Sequence, residues 1–442
     1  MLSRRLRHSF LLLLTVFLML PVLAVFVSWL PWGEQATQAL PLLLEMGRTV
    51  LPDYAATTLM LCLMVSVGVI AVGLSAAVAV TLFDFPGRRT FEWALLLPLA
   101  MPAYVVAYAY TDFLQFSGPF QTMIREVAGL QGRVFPEIRN TVGAAWVMTF
   151  ALYPYVYLLA RAALGERAAH LMEAARLLGA PLARRIREVA LPLARPAVAA
   201  GVALALMETL ADYGVASYFG IQTFTAGIYK AWLAMDNRVA AAQLAMILLL
   251  LVMGLLYLER RAQKRLRFVT GRGARVGSAE ARPVALQGKF KWLAWGVCGV
   301  PLLMGFVAPV LFMLRPLLAD WSALPWDRFM GWVLNSLRLG AIGAVLAVLL
   351  ALLLAFSVRR RPDGLTRAVV SLAGLGYAVP GAVIVVGLLL PVGWLQATWP
   401  QTEVGYLVTA TSLGIVWAYL VRFLCRGLAV HPERLRAHPA QL

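Results

Sequence analysis

Charged residues are scarce in this chain, and their scarcity excludes most classes of soluble protein. Only 14% of the 442 residues are Asp, Glu, Lys or Arg, whereas 61% are hydrophobic. A soluble protein of this length cannot bury so large an apolar fraction, and apolar runs of about 20 residues can cross a bilayer as helices. The composition therefore predicts an all-α membrane protein with many spans.

Cysteine and histidine are also rare, and neither forms a reactive or metal-binding pattern. The three cysteines and four histidines lie in apolar spans or near their ends, without metal-ligand spacing: Cys62, Cys298, Cys425, His8, His170, His431 and His438. No disulfide framework, catalytic constellation or firm metal site follows from them. The chain is therefore not expected to be an enzyme.

An ATP-binding loop is missing as well. The glycine-containing run 271–278 lacks the Gly-Lys-Ser/Thr ending that cradles nucleotide phosphates. We therefore expect this chain to bind no cofactor, and we expect any ATP that drives its function to be hydrolysed by a separate subunit.

Positive charge, in contrast, is abundant, since the formal net charge is +18. In a soluble protein this excess would suggest a nucleic-acid partner, but here no basic stripe with interleaved aromatics stands apart from a membrane span. Most Lys and Arg instead fall in alternate loops, which is the signature of the cytoplasmic side of a membrane. The pattern argues against nucleic acid and predicts a cytoplasmic N-terminus, which carries Arg4, Arg5 and Arg7.

Ten apolar segments are predicted to span the bilayer as helices. They lie at about 10–30, 57–83, 91–113, 142–164, 196–219, 241–258, 292–314, 335–358, 368–392 and 405–428. Pro98 and Pro102 fall inside the third segment and predict a kink there. The basic stretch 259–291 has no sustained apolar pattern, so it predicts a cytoplasmic linker. It would join a first half at 1–258, with six spans, to a second half at 292–442, with four.

The second half repeats the first at a nearly constant offset. Thr57-Thr58-Leu59 corresponds to Asn335-Ser336-Leu337, and Met101-Pro102-Ala103 corresponds to Val379-Pro380-Gly381. Tandem repeats in one chain are a common transporter architecture. In this register the second half stops before a counterpart of segment 171–192 and two further spans. We expect either a truncated or frameshifted chain, or a separate chain that supplies the rest.

The most specific pattern is the polar segment 171–192, which reads LMEAARLLGAPLARRIREVALP between two apolar spans. Good helix formers precede Gly179, a residue that can take the left-handed conformation that ends a helix. Pro181 then suits the first turn of another helix. The pattern predicts a helix, a tight turn and a second short basic helix, all outside the bilayer.

This segment resembles the EAA loop of ABC importer permeases at every fixed position: Glu173, Ala174, Ala175, Gly179, Val189, Leu191 and Pro192. The resemblance implies a type I importer permease fold in a multi-pass protein of the bacterial inner membrane. It also implies that these residues couple the chain to an ATP-binding cassette subunit, in two copies. A periplasmic binding protein would deliver the substrate.

The stretch 208–243 is similar to the ferric-iron branch of that family, which implies ferric iron as the substrate. Glu208 and Asp212 are spaced i, i+4, so they are predicted to share one face of the fifth span. Carboxylates inside a membrane helix usually face a bundle interior or a water-filled path. Together with the phenol of Tyr213 they offer oxygens that suit hard cations. These three residues are candidates for the translocation path.

Several alternatives stay open. The two carboxylates could be paired structurally and touch no substrate, and they would also suit thiamine, a polyamine or another small solute. An ion-coupled secondary transporter would explain the spans and the buried carboxylates, although not the EAA loop. A truncated remnant that transports nothing is the remaining interpretation.

Overall fold

A computed structural model of the chain describes residues 4–27, 39–165, 169–267, 283–360 and 379–429, with the single residues 364, 369 and 376. Helices make up nearly all of these ranges. The strand pairing within them is parallel and two residues long, joining Phe83–Asp84 (β1) to Val284–Ala285 (β2). The all-α membrane class predicted from the composition is confirmed.

The described helices vary from single turns to more than thirty residues. In chain order they are α1 (Arg4–Val27), α2 (Ala39–Arg48), α3 (Leu51–Leu82), α4 (Arg88–Ala94), α5 (Ala103–Leu114), α6 (Pro119–Ala128), α7 (Thr141–Ala163), α8 (Ala169–Leu177), α9 (Leu182–Arg185), α10 (Leu191–Ala211), α11 (Gly214–Phe219), α12 (Phe224–Tyr229), α13 (Arg238–Arg267), α14 (Lys289–Leu302), α15 (Ala308–Ala319), α16 (Trp326–Arg360), α17 (Gly381–Thr398), α18 (Val404–Thr409) and α19 (Leu413–Ala429). Short 3₁₀ and π turns lie between some of them.

Seven described helices are long and apolar enough to span a membrane, and the bent pair Arg88–Ala100 and Ala103–Ala128 makes an eighth if it counts as one span. The places predicted for the first and tenth spans hold shorter apolar helices, Leu11–Val27 and Leu413–Leu424. Part of the ninth predicted span and residues 268–282 of the predicted linker lie outside the described residues. Each predicted span thus contains a helix in its described part, although only seven or eight meet the full criterion.

The third span breaks, whereas the sequence predicted only a kink. Its two parts are bent by 88°. Met101 is extended, with φ −111° and ψ 122°, and Pro102 precedes the first turn of α5. The residue before a proline is pushed towards extended backbone by the proline ring, so the helix cannot continue through Met101.

The fifth span also differs from the prediction. One helix runs through Leu182–Ala211, so the second short basic helix predicted after Gly179 is the beginning of this span. The helix continues through Pro192, because a π turn precedes this residue, and in that turn the N–H of Leu191 donates to the carbonyl of Ile186. The wider turn gives room for the proline ring. The helix then ends at Ala211, not at Phe219.

The chain folds into two compact units, each assembled from segments distant in sequence. One comprises residues 53–226 and 254–321, and the other comprises 1–52, 227–253 and 322–442. In the first, α15 of the predicted second half packs on α5, where the rings of Phe312 and Phe113 stack at 3.9 Å. In the second, α1 packs near α19, where Phe17 and Trp417 stack at 4.7 Å. The residue boundaries of the two units therefore differ from those of the two predicted halves. The halves remain a prediction that is based on the sequence repeat.

One position of the proposed repeat can be compared directly. Pro102 has φ −59° and ψ 139° before α5, and its predicted counterpart Pro380 has φ −57° and ψ 144° before α17. The two prolines thus begin helices from the same backbone conformation.

The helix α7 forms the centre of the first unit. Gly73 of α3 and Gly201 of α10 both face the stretch 153–157 of α7, where their missing side chains allow close approach. Tyr153 is fully buried there. Its hydroxyl donates to the carbonyl oxygen of Leu95 at 3.0 Å, which satisfies the buried polar group.

Candidate functional site

The residues of the EAA pattern form an exposed helix and turn at the base of the fifth span. Glu173, Ala174 and Ala175 lie in α8, and Gly179 follows it with φ +79°. The N–H of Ala180 donates to the carbonyl of Ala175 at 3.0 Å. This bond closes a helix-ending turn of the kind in which glycine takes the left-handed conformation. The predicted conformation of Gly179 is confirmed, whereas its role in coupling stays a prediction.

The helix α8 has one anchored side and one free end. Met172 is 6% exposed and belongs to the apolar core of the first unit, whereas Leu177 and Leu178 are 83% and 88% exposed. Two adjacent leucines in water at the tip of a helix are costly unless another surface covers them. The turn therefore has the composition of a contact surface.

Ion pairs on the loop are exposed and local. Arg176 lies 3.5 Å from Glu173, and Arg184 lies 2.9 Å from Glu188. Pairs of this kind within one helix contribute little in water and are screened by salt. They leave the carboxylate of Glu173 at the surface of the loop.

The remaining EAA positions lie in the helix that continues into the membrane. Val189 and its neighbour Ile186 are half-buried against the core of the first unit. Leu191 and Pro192 begin α10 directly after the π turn. The residues of the EAA pattern therefore fall in two structural parts. One part is the exposed tip around Gly179, and the other is the packed beginning of the membrane-spanning helix.

The structure separates the two carboxylates that the sequence placed on one helical face. Glu208 lies in α10, but Asp212 follows its last residue and has extended backbone, with φ −75° and ψ 125°. The Asp212 carboxylate accepts a hydrogen bond from the N–H of Val215 at 2.8 Å. The prediction of a shared helical face was wrong, because Asp212 instead caps the start of α11.

Asp212 lies beyond the end of the span in a largely enclosed turn. Burial raises the pKa of its carboxyl to about 6, while the N–H groups of Val215 and Ala216 lower it and the charge of Glu208 raises it. The hydroxyl of Thr225 donates to the Asp212 carbonyl at 2.7 Å. Tyr213, beside it, is 37% exposed. The candidate path residues Glu208, Asp212 and Tyr213 therefore gather at one turn, although not on one helix.

Sequence reasoning missed several polar residues around this turn. Thr58 of α3 is 4% exposed, and its hydroxyl accepts from the N–H of Phe224 at 3.3 Å. Tyr104 of α5 lies against Gly214, because a Cβ on that glycine would be 2.8 Å from the Tyr104 Cβ. The i, i+4 spacing of tyrosines in α5 was a signal that could have found this residue. In the part of the chain that the structure describes, no group of three or more His, Cys, Asp or Glu residues is placed to hold a metal.

Comparison with known sequences gives a match over the part of the chain that carries both sites. Residues 69–268 match the family described as "Binding-protein-dependent transport system inner membrane component". This range includes the EAA segment 171–192 as well as Glu208, Asp212 and Tyr213.

Three similar proteins have different named substrates. The chain is 26% identical to the Fe(3+)-transport system permease protein FbpB 2 of Haemophilus influenzae over 77% of the chain and 64% of that protein. It is 30% identical to the sulfate transport system permease protein CysT of Salmonella typhimurium, over 32% of the chain and 49% of that protein. It is 25% identical to the putative 2-aminoethylphosphonate transport system permease protein PhnU of Salmonella choleraesuis, over 47% and 74%. The chain thus spans less than two thirds of the first two relatives.

Proposed function

We propose that the chain is the membrane-spanning subunit of an ATP-binding-cassette importer, because residues 69–268 match the family of binding-protein-dependent transport system inner membrane components. The observation that carries this proposal is the exposed tip of α8, where Leu177 and Leu178 directly precede the turn at Gly179. A separate ATPase subunit, in two copies, docks on such tips and hydrolyses ATP. A periplasmic binding protein brings the substrate to the opposite face.

The continuous helix Leu182–Ala211 supplies a physical link between the two candidate sites. It has 30 residues, so it is about 45 Å long at 1.5 Å per residue. The coupling turn lies at one end, and Glu208 and Asp212 lie at the other. A movement of the ATPase that displaces α8 would therefore shift the candidate path through one rigid element.

We propose ferric iron as the substrate. One relative, aligned over 353 residues, is named as an Fe(3+)-transport permease. Carboxylate and phenol oxygens at the turn around Asp212 suit a hard cation. Sulfate and a phosphonate are anions, and two nearby carboxylates would repel them.

Neutralising both carboxylates tests the substrate. We expect Glu208→Gln combined with Asp212→Asn to lower the initial rate of ferric-iron uptake by about tenfold or more, because charge that favours a cation is removed. The Asn side chain retains an oxygen that can accept from Val215, so the cap of α11 is preserved. The measurement is iron uptake in the native host, normalised to the amount of protein in the membrane, together with co-purification of the ATPase.

A matched variant separates charge from structure. Asp212→Ala removes the capping oxygen as well as the charge, so it should reduce membrane-inserted protein in addition to uptake. Normal iron uptake in the double variant would leave the carboxylates with a structural role. Uptake of sulfate, a phosphonate, thiamine or a polyamine in place of iron would contradict ferric iron as the substrate, but it would agree with the proposal that the chain belongs to an importer.

The orientation in the membrane is a separate prediction. We propose that the N-terminus and the residues around β2 are cytoplasmic and that the loop between α5 and α7 is external. In a background without native cysteines, Ser117→Cys should react with a membrane-impermeant maleimide added outside, and Gln287→Cys should react only after the cells are opened. Both positions are exposed. Labelling of Gln287→Cys in intact cells would contradict this topology.

A further inference from the structure

One face of α5 carries a row of three oxygen-bearing side chains, of which two are exposed and the third, Asp112, is half-buried. Tyr104, Tyr108 and Asp112 are spaced i, i+4 and i+8, so they lie one above another on the helix. Tyr104 and Tyr108 are 54% and 42% exposed, whereas Ala107 and Tyr110 on other faces are buried. The row covers about 12 Å along the helix axis.

The inner end of the row reaches the candidate path. The helix α5 begins directly after the break at Met101 and Pro102. Tyr104, in its first turn, contacts Gly214, which follows Asp212 and Tyr213 after the end of the fifth span. The row therefore starts where two spans are interrupted, and such interruptions in transporters line binding sites and cavities.

The outer end of the row is closed by α11 and by the loop that precedes α7. The rings of Tyr108 and Tyr218 have centroids 6.0 Å apart. Arg139 donates from Nε and Nη2 to the carbonyl oxygen of Tyr218 at 3.1 and 2.6 Å, and its guanidinium lies 5.3 Å from the centre of the Tyr218 ring. Two phenols and a guanidinium thus meet at one place, and Asp112 lies one helical turn beyond Tyr108 on α5.

We propose that the Tyr104, Tyr108 and Asp112 face of α5, with Tyr218 opposite, is the outer part of the path that a ferric ion follows to the turn at Asp212. This inference rests on the proposed function and adds residues to its path. Phenol and carboxylate oxygens suit a hard cation. Their spacing of one helical turn supplies successive sites in place of one tight site, which conduction requires. The charge of Arg139 weakens binding at the outer end, so the ion is passed inward.

The test removes the two phenol oxygens and the carboxylate charge, and it keeps the side-chain shapes nearly unchanged. We expect the triple variant Tyr104→Phe, Tyr108→Phe and Asp112→Asn to lower the initial rate of ferric-iron uptake by about tenfold per membrane-inserted molecule, a loss of about 1.4 kcal/mol at the barrier. Co-purification of the ATPase should be unchanged, because α8 is untouched. The measurement is uptake of ferric iron by the native host with each variant in place of the natural chain.

A control lies on the same helix. Tyr110 is buried, and its hydroxyl donates to the carbonyl oxygen of Met304 at 2.7 Å. Tyr110→Phe also removes a phenol oxygen, but from outside the row, so it should leave the uptake rate per molecule unchanged even if less protein accumulates.

Each outcome decides one claim. If the natural chain imports iron and the triple variant imports it at the same rate per molecule, the row does not line the path. The proposed function is not contradicted by that result. A variant that loses only membrane abundance would assign the tyrosines to anchoring at the membrane interface, which also overturns the row. If the natural chain imports no iron, the proposed substrate fails, and the inference fails with it.

Discussion

Gly201→Val should lower the amount of folded protein in the membrane by about tenfold or more. A Cβ at Gly201 would lie 2.6 Å from the Cα of Val156 and 3.0 Å from the carbonyl oxygen of Tyr155. These are backbone atoms of α7, so no side chain can rotate away. Overpacking in a close-packed interior typically costs about 1–3 kcal/mol, and separating two helices costs more because neighbouring contacts are also lost.

The position of α7 explains why the effect is expected to be large. Gly73 approaches the same stretch from α3, where an added Cβ would lie 2.7 Å from the carbonyl oxygen of Tyr153. A shift of α7 away from Gly201 is therefore blocked on another side. The buried hydroxyl of Tyr157, which donates to the carbonyl oxygen of Glu92 at 2.9 Å, would also lose its partner if α7 moved.

Gly254→Val is the matched control for Gly201→Val. Gly254 also lies in a membrane-spanning helix, but an added Cβ there meets nothing within 4 Å. The amount of each variant in membranes can be compared by immunoblotting, and the folded fraction by gel filtration in mild detergent. Equal accumulation of the two variants would show that α10 and α7 are not packed as closely as described.

The sequence contained enough information to predict the class of fold and the positions of the spans. Apolar runs long enough to cross a bilayer can be recognised without tertiary contacts, because the bilayer itself acts as the solvent. The turn at Gly179 was predictable for a similar reason. Its conformation depends on local chemistry: helix formers before it, and a residue without a Cβ where the backbone must be left-handed.

The interruptions of the spans could not be predicted with the same accuracy. Pro98 and Pro102 indicated a kink, but an 88° bend depends on what the freed backbone groups meet in the folded chain. The fifth span was predicted to begin at about residue 196, whereas a π turn before Pro192 lets one helix run on from Leu182. Proline marks a place where the hydrogen-bond ladder changes, and the neighbouring helices decide how it changes.

The residues of the candidate path were also predicted less accurately than the spans, because their positions depend on where a helix ends. Helical spacing placed Glu208 and Asp212 on one face, but the helix ends between them, and Asp212 caps α11 instead. The row at Tyr104, Tyr108 and Asp112 had a clear periodic signal, but aromatic residues at helical spacing are common in apolar cores. The exposure of Tyr104 and Tyr108 and the contact of Tyr104 with Gly214 depend on the tertiary structure. These two features separate the row from a buried aromatic stripe, and the sequence does not contain them.

Gly179→Val should weaken binding of the proposed ATPase partner without removing the chain from the membrane. Gly179 has φ +79°, and an added Cβ would meet nothing within 4 Å, so the strain lies in the backbone alone. A left-handed conformation costs an L-residue about 1–2 kcal/mol, and β-branching adds to this. The turn is therefore expected to open and to displace Leu177 and Leu178, which form the exposed tip.

The size and specificity of this effect can both be measured. Since 1.4 kcal/mol corresponds to about a tenfold change in binding, ATPase co-purification and substrate-stimulated ATP hydrolysis should fall about tenfold. Gly179→Asn should retain most of the coupling, because Asn tolerates the left-handed conformation. Gly129→Val is the control, since Gly129 has φ +63° and open space around it but ends α6, far along the chain from α8. If both valine variants reduce ATPase binding equally, the effect is general strain and the EAA turn is not the docking element. If neither does, α8 is a surface helix without this partner.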